Sequence, residues 1–161
     1  MTSIIDQQFA DWFNRAVKLY DNDKLEECIT EAREILNDSA CPRYHRMKTL
    51  VLLGNCAGDF EEANDCCNQA KALWRIVRRW NPAGVDESAD QAMDELRGLI
   101  DDLRAVLKEE APNAYNADEA VDSIVATHDA RVAEEMVQHE ADFGDEIRYE
   151  RELAEEYGEE T

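Results

Sequence analysis

"DNDKLEECITEA" at Asp21–Ala32 and "AGDFEEANDCCNQA" at Ala57–Ala70 write the same phrase twice. Each places a large apolar residue, Leu25 or Phe60, before a Glu-Glu pair, and a small residue, Cys28 or Ala63, after it. The copies lie 35 residues apart. A chain that repeats a turn and a helix start at this distance is building a short stack of helical hairpins.

Working outward from the two phrases, the apolar residues recur at three- and four-residue steps throughout, which predicts helices. Phe9, Trp12, Phe13, Ala16, Leu19 and Tyr20 mark a first helix over Ile4–Tyr20, opened by the capping residues Thr2 and Ser3. Leu25, Cys28, Ile29, Ala32, Ile35 and Leu36 mark a second, ending near Asn37. Pro42 starts a third helix over Arg43–Cys56, with Met47, Leu50, Val51 and Gly54 on one stripe. A fourth, Phe60–Arg79, carries Ala63, Cys67, Ala70, Trp74 and Val77, and "NPAG" at Asn81–Gly84 closes it. A fifth follows Asp86 or Ser88, with Met93, Leu96, Leu99, Ile100, Leu103, Val106 and Leu107 on its apolar face. After Pro112 a sixth begins near Asn116, with a thinner stripe of Ala120, Val121, Ile124, Val125, Val132, Met136 and Val137. Beyond Gly144 charge alternates with few apolar residues, which predicts a frayed helix or a mobile acidic tail. No stretch alternates at period two, so the fold class is all-α. The organisation expected is a helical domain over residues 1–112, capping helix included, followed by an acidic helical extension over 113–161.

The chain of 161 residues carries a formal charge of −21, unevenly placed. Residues 1–82 hold 11 Lys/Arg and 13 Asp/Glu, while residues 83–161 hold 6 and 25. An acidic half of this kind repels phosphates, which argues against nucleic acid as a partner. It suits a basic protein partner or a self-repelling solvated surface. No run approaches the roughly 18 apolar residues of a membrane span, so no membrane is expected. The start shows no basic leader region. Five cysteines, four of them at small core positions, point to free thiols in a reducing compartment, cytoplasmic or nuclear.

A helical hairpin repeating at about 34 residues is the period of the tetratricopeptide repeat. The first unit has Trp12, Ala16, Leu19, Leu25, Cys28, Ala32 and Ile35 at the matching positions. The second has Met47, Val51, Gly54, Phe60, Ala63, Cys67 and Ala70, and "GDFEEA" at Gly58–Ala63 is close to the family's turn phrase. Over residues 9–82 the chain resembles this family. It departs from the pattern at Arg15, where a leucine is usual, at Asp23, where the turn glycine is usual, and at Pro42, which is displaced. Stacks of this type need about three units to bury their faces. Either the fifth helix caps the stack or two copies pair as a homodimer.

The resemblance implies an inner groove lined by the first helix of each pair. Carried onto this chain, that surface is Phe13, Val17 and Tyr20 from the first unit and His45, Lys48, Leu52 and Asn55 from the second. Apolar residues stand where members that clamp acidic chaperone tails use Lys and Asn, so a peptide with apolar anchors fits better. A second contact surface is "KALWRIVRRW" at Lys71–Trp80, which sets Arg75, Arg78 and Arg79 beside Trp74 and Trp80. Trp74 and Val77 are expected in the core, with the arginines solvated or paired with the acidic fifth helix. His45, His128 and His139 form no metal signature, and Cys66-Cys67 lacks a CxxC partner. On a helix adjacent residues point apart, so one of that pair is expected in the core and the other near its boundary. With no phosphate-binding loop, nucleophile elbow or HExxH, no catalytic residue, metal or cofactor is assigned. The function expected is a non-enzymatic adaptor that binds a peptide or helix of a partner protein. The alternative is an acidic escort for a basic client such as a histone or ribosomal protein.

Overall fold

The computed structural model describes residues 3–112 and 115–158, and for residues 139–147 and 149–158 the backbone only. Among the described residues there are six α-helices and no strand: α1 (Ile4–Asp21), α2 (Leu25–Asn37), α3 (Arg43–Cys56), α4 (Phe60–Trp80), α5 (Glu87–Glu110) and α6 (Ala117–Gly158). Two compact units are distinguished, Met1–Val125 and Ala126–Thr161. In the second, α6 continues as helix through Gly144 to Gly158, with Met136 and Val137 exposed.

Local chemistry sets the helix limits. Ser3 Oγ accepts the Asp6 amide at 3.1 Å and opens α1. At its far end the Asp23 amide donates to the Tyr20 carbonyl and the Lys24 amide to the Leu19 carbonyl. That pair of bonds is a Schellman closure. It needs a left-handed residue, and Asp23 supplies it with φ 60° in place of the usual glycine. Asp59 Oδ1 accepts the Glu61 amide to open α4, and Asp86 Oδ1 accepts the Ser88 and Ala89 amides to open α5. Asn116 Oδ1 accepts the Glu119 amide at the start of α6. Arg46 on α3 reaches back to the end of α2, donating to the carbonyls of Leu36 at 2.9 Å and Asp38 at 3.1 Å.

Each of the first five helices packs on its sequence neighbour. In addition α1 touches α3, and α3 touches α5. The small residues lie where helices meet: Ala16, Cys28, Ala32, Cys67 and Ala70 have no exposed surface, and Ala63 is buried with them. Close approach explains the choice. At Gly54 a Cβ would stand 2.6 Å from Leu103 Cδ2, so α3 and α5 meet there with no room for a side chain. The first turns of α6 lie on α4, Val121 and Val125 against Ala72 and Ile76.

Some residues fall differently from the sequence reading. In α1 the buried residues are Phe9, Phe13 and Ala16, while Trp12 and Leu19 are half-buried. The helix is covered from two sides, by α2 and by α3, so its buried sector turns toward Phe13. Trp12 instead donates its indole N–H to Glu31 at 2.7 Å. Cys66 and Cys67 are both buried, because α4 lies between α3 and α5. On α5 the buried line is Met93, Leu96, Ile100, Leu103 and Leu107, and Leu99 and Val106 stand beside it, exposed.

Candidate functional site

The expected groove residues gather along the seam of α1 and α3, but several of them close it. Phe13, His45 and Leu52 are buried and Val17 is half-buried, so they form a floor and not an open contact surface. Phe13, Leu52 and Val17 share one apolar cluster with Phe9, Ala16 and Cys56. The cause is again the direct packing of α1 on α3. Tyr20 and Asn55 are exposed at the ends of their helices.

Lys48 organises the outer edge of the seam. Its Nζ lies 4.4 Å from the Phe13 ring centroid and 5.2 Å from that of Tyr44, so an ammonium sits against two aromatic rings. Such contacts strengthen as water is withdrawn. Burial lowers the Lys48 pKa from the ordinary lysine value, and the carboxylate of Glu95 on α5 acts in the opposite direction. Tyr44 also sets its ring edge-on to His45, with centroids 5.5 Å apart. His45 Nδ1 has no hydrogen-bond partner among the described residues. Burial first, and then the Lys48 charge, depress its pKa, opposed by Asp6. The seam therefore presents a half-exposed tyrosine and a partly desolvated lysine. Sequence reasoning missed Tyr44. Tyr44 lies 35 residues beyond Phe9, and that offset could have identified it.

The arginine stretch is drawn into internal pairs. Arg75 meets Asp122 of α6 at 2.6 Å, and Arg78 meets Asp90 of α5 at 2.7 Å. The second oxygen of Asp90 accepts the Gly84 amide. That hydrogen bond, followed by the one from Arg78, holds the carboxyl below its usual pKa. Arg79 and Trp80 are exposed, Trp80 at 69%. Trp74 is buried and donates its indole N–H to the Met93 carbonyl at 2.8 Å.

All five cysteines are buried free thiols, and burial raises the Cys66 pKa to about 11. The described residues hold no group of three or more His, Cys, Asp or Glu arranged for a metal, and no helix among them is long and apolar enough to cross a membrane. The side chain of His139 lies outside the described residues. No protein family, curated protein or solved structure matches the chain.

Proposed function

We propose that the protein is a non-enzymatic interaction module, a tetratricopeptide-like stack that binds a peptide or helix of a partner protein along the seam of α1 and α3. One observation carries the reading. The ends of α1 and α3 and the starts of α2 and α4 are each offset by 35 residues, from Asp21 to Cys56 and from Leu25 to Phe60. At the same offset the pairs Ala16 and Val51, Cys28 and Ala63, Ala32 and Cys67, and Ile35 and Ala70 are all buried. Turns and buried positions shared at one period support reading the two segments as copies of one packing unit. Repeat stacks use the faces of such units for binding. The Tyr44 and Lys48 edge offers an aromatic surface and a positive charge to a partner.

The test is capture of partners from native extract by the full chain, with Tyr44→Ala plus Lys48→Glu as the comparison. Loss of the captured proteins with an unchanged helical signal and unfolding midpoint supports the seam. The acidic-escort reading draws on the charge of the C-terminal half, and truncation to residues 1–125 separates the two. Capture that survives the double substitution, disappears on truncation and weakens steeply with salt assigns binding to the acidic helix and a basic client.

A further inference from the structure

A cleft of about 810 Å³ opens between α4, α5 and the start of α6. Its apolar wall is Ala111, Pro112 and Ala117, backed by the buried Ile100, Leu107 and Val121. Its cations are Lys71, Arg104 and Lys108, set against the carboxylates of Asp101 and Asp118. In a chain of formal charge −21, this lining carries one more positive charge than negative.

The hydrogen bonds in the cleft fix what it lacks. Arg104 Nη1 donates to Asn64 Oδ1 at 2.8 Å, and Nη2 donates to Asn68 Oδ1. A guanidinium can only donate, so both amides must turn their oxygens toward it. Their nitrogens then point away, and both donate to the Tyr115 hydroxyl, at 2.7 and 2.9 Å. That oxygen is therefore an acceptor twice over, and its own proton is left to be given away. The Tyr115 ring is held edge-on to Phe60, with centroids 6.5 Å apart. Arg104 is partly buried, and its described partners are neutral amides with no carboxylate among them. Asp101 is already shared by Lys71 at 3.9 Å and Arg97 at 3.8 Å. The network thus ends in donors, the remaining N–H groups of Arg104 and the Tyr115 O–H, and the Lys108 ammonium lines the same cleft. An apolar wall beside a row of donors with one surplus positive charge complements one kind of molecule.

We infer that this cleft binds a small monocarboxylate with an apolar body. The carboxylate oxygens accept from Arg104, Tyr115 and Lys108, and the body lies on Ala111, Pro112 and Ala117. Charge-assisted donors of this kind pair with a carboxylate, and the single surplus positive charge matches a monoanion better than a phosphate dianion. The volume is in the range of small-molecule sites. This inference is independent of the partner-binding reading, which concerns the seam of α1 and α3.

Octanoate, octyl phosphate and octylamine are titrated into the full chain below their aggregation concentrations, and backbone amide shifts are followed by NMR. Octanoate is expected to give saturable shifts around Arg104 and Tyr115, with octyl phosphate weaker and octylamine without effect there. Arg104→Gln should weaken octanoate at least about tenfold, the usual scale for a charge-assisted pair. Lys108→Gln, an exposed residue outside the amide network, should weaken it about threefold at an unchanged unfolding midpoint, and it decides the matter should Arg104→Gln disturb the fold. Octylamine binding as well as octanoate, shifts mapping elsewhere, or octanoate affinity unchanged in Lys108→Gln would overturn the inference. Octyl phosphate binding more tightly than octanoate would overturn the monocarboxylate assignment.

Discussion

Cys56 Sγ lies 3.5 Å from Cys28 Sγ, both thiols buried where α3 packs on α2. Desolvation, reinforced by the hydrogen bond to Cys28, pushes the Cys56 pKa up to about 12. The reactive species of a cysteine is the thiolate and a reagent must reach it, so Cys56, with its raised pKa, and Cys28, fully buried, are inert while the fold is closed. Titration of the native protein with a thiol reagent at neutral pH should give slow modification at the rate of opening, and immediate modification in denaturant. Rapid labelling of Cys28 or Cys56 in the native state would show that α2 and α3 part easily.

Asp23 holds a left-handed backbone that a side chain disfavours, less so for Asp than for most residues. Asp23→Gly should raise the unfolding free energy by roughly 0.5 kcal/mol, the relief of strain being partly offset by the greater freedom of glycine in the unfolded chain. Urea denaturation gives the difference directly. A loss of stability would mean that the Asp23 side chain contributes more than its backbone costs.

Gly54 and Leu103 share one space. Gly54→Ala gains roughly 1 kcal/mol of helix propensity but must displace a buried Leu103 methyl. The two effects should nearly cancel in the wild-type protein. In a Leu103→Ala background the obstruction is gone, and the same substitution should stabilise by about 1 kcal/mol. A double-mutant cycle on thermal midpoints reads the coupling, and strict additivity would contradict the close approach of α3 and α5.

His45 is held neutral by burial and by the Lys48 charge. A folded-state pKa below the unfolded value of 6.5 means that the folded chain binds fewer protons than the unfolded chain between the two values. Its contribution is fully present above pH 6.5 and falls away as the pH drops through the folded value. Unfolding free energies at pH 7.5 and pH 5.0 should therefore differ less in His45→Asn than in the wild-type protein. An equal difference would place the imidazole in contact with water.

The helices were readable because their apolar residues step by three and four and their turns carry Asp, Gly and Pro. α2 begins and α3 ends where periodicity places them. The side of α1 that becomes buried was not readable. Phe13 and Trp12 are adjacent and both aromatic, and only the arrival of α3 on one flank decides between them. The cleft was equally hidden, since Arg104 finds its partners 40 and 36 residues away in sequence. A local hint does exist: Asn64 and Asn68, four residues apart on α4, lie beside the small buried residues Ala63 and Cys67. Two amides at that spacing on a packed helix call for a polar partner.

Arg46 belongs to α3, yet it holds the carbonyls at the end of α2. The final turn of α2 cannot fray without releasing this guanidinium, and the guanidinium is anchored in the first turn of α3. The turn between α2 and α3 is thereby tied to the helices on either side of it. In amide exchange, the end of α2 and the beginning of α3 should therefore be protected together, as one block spanning the join.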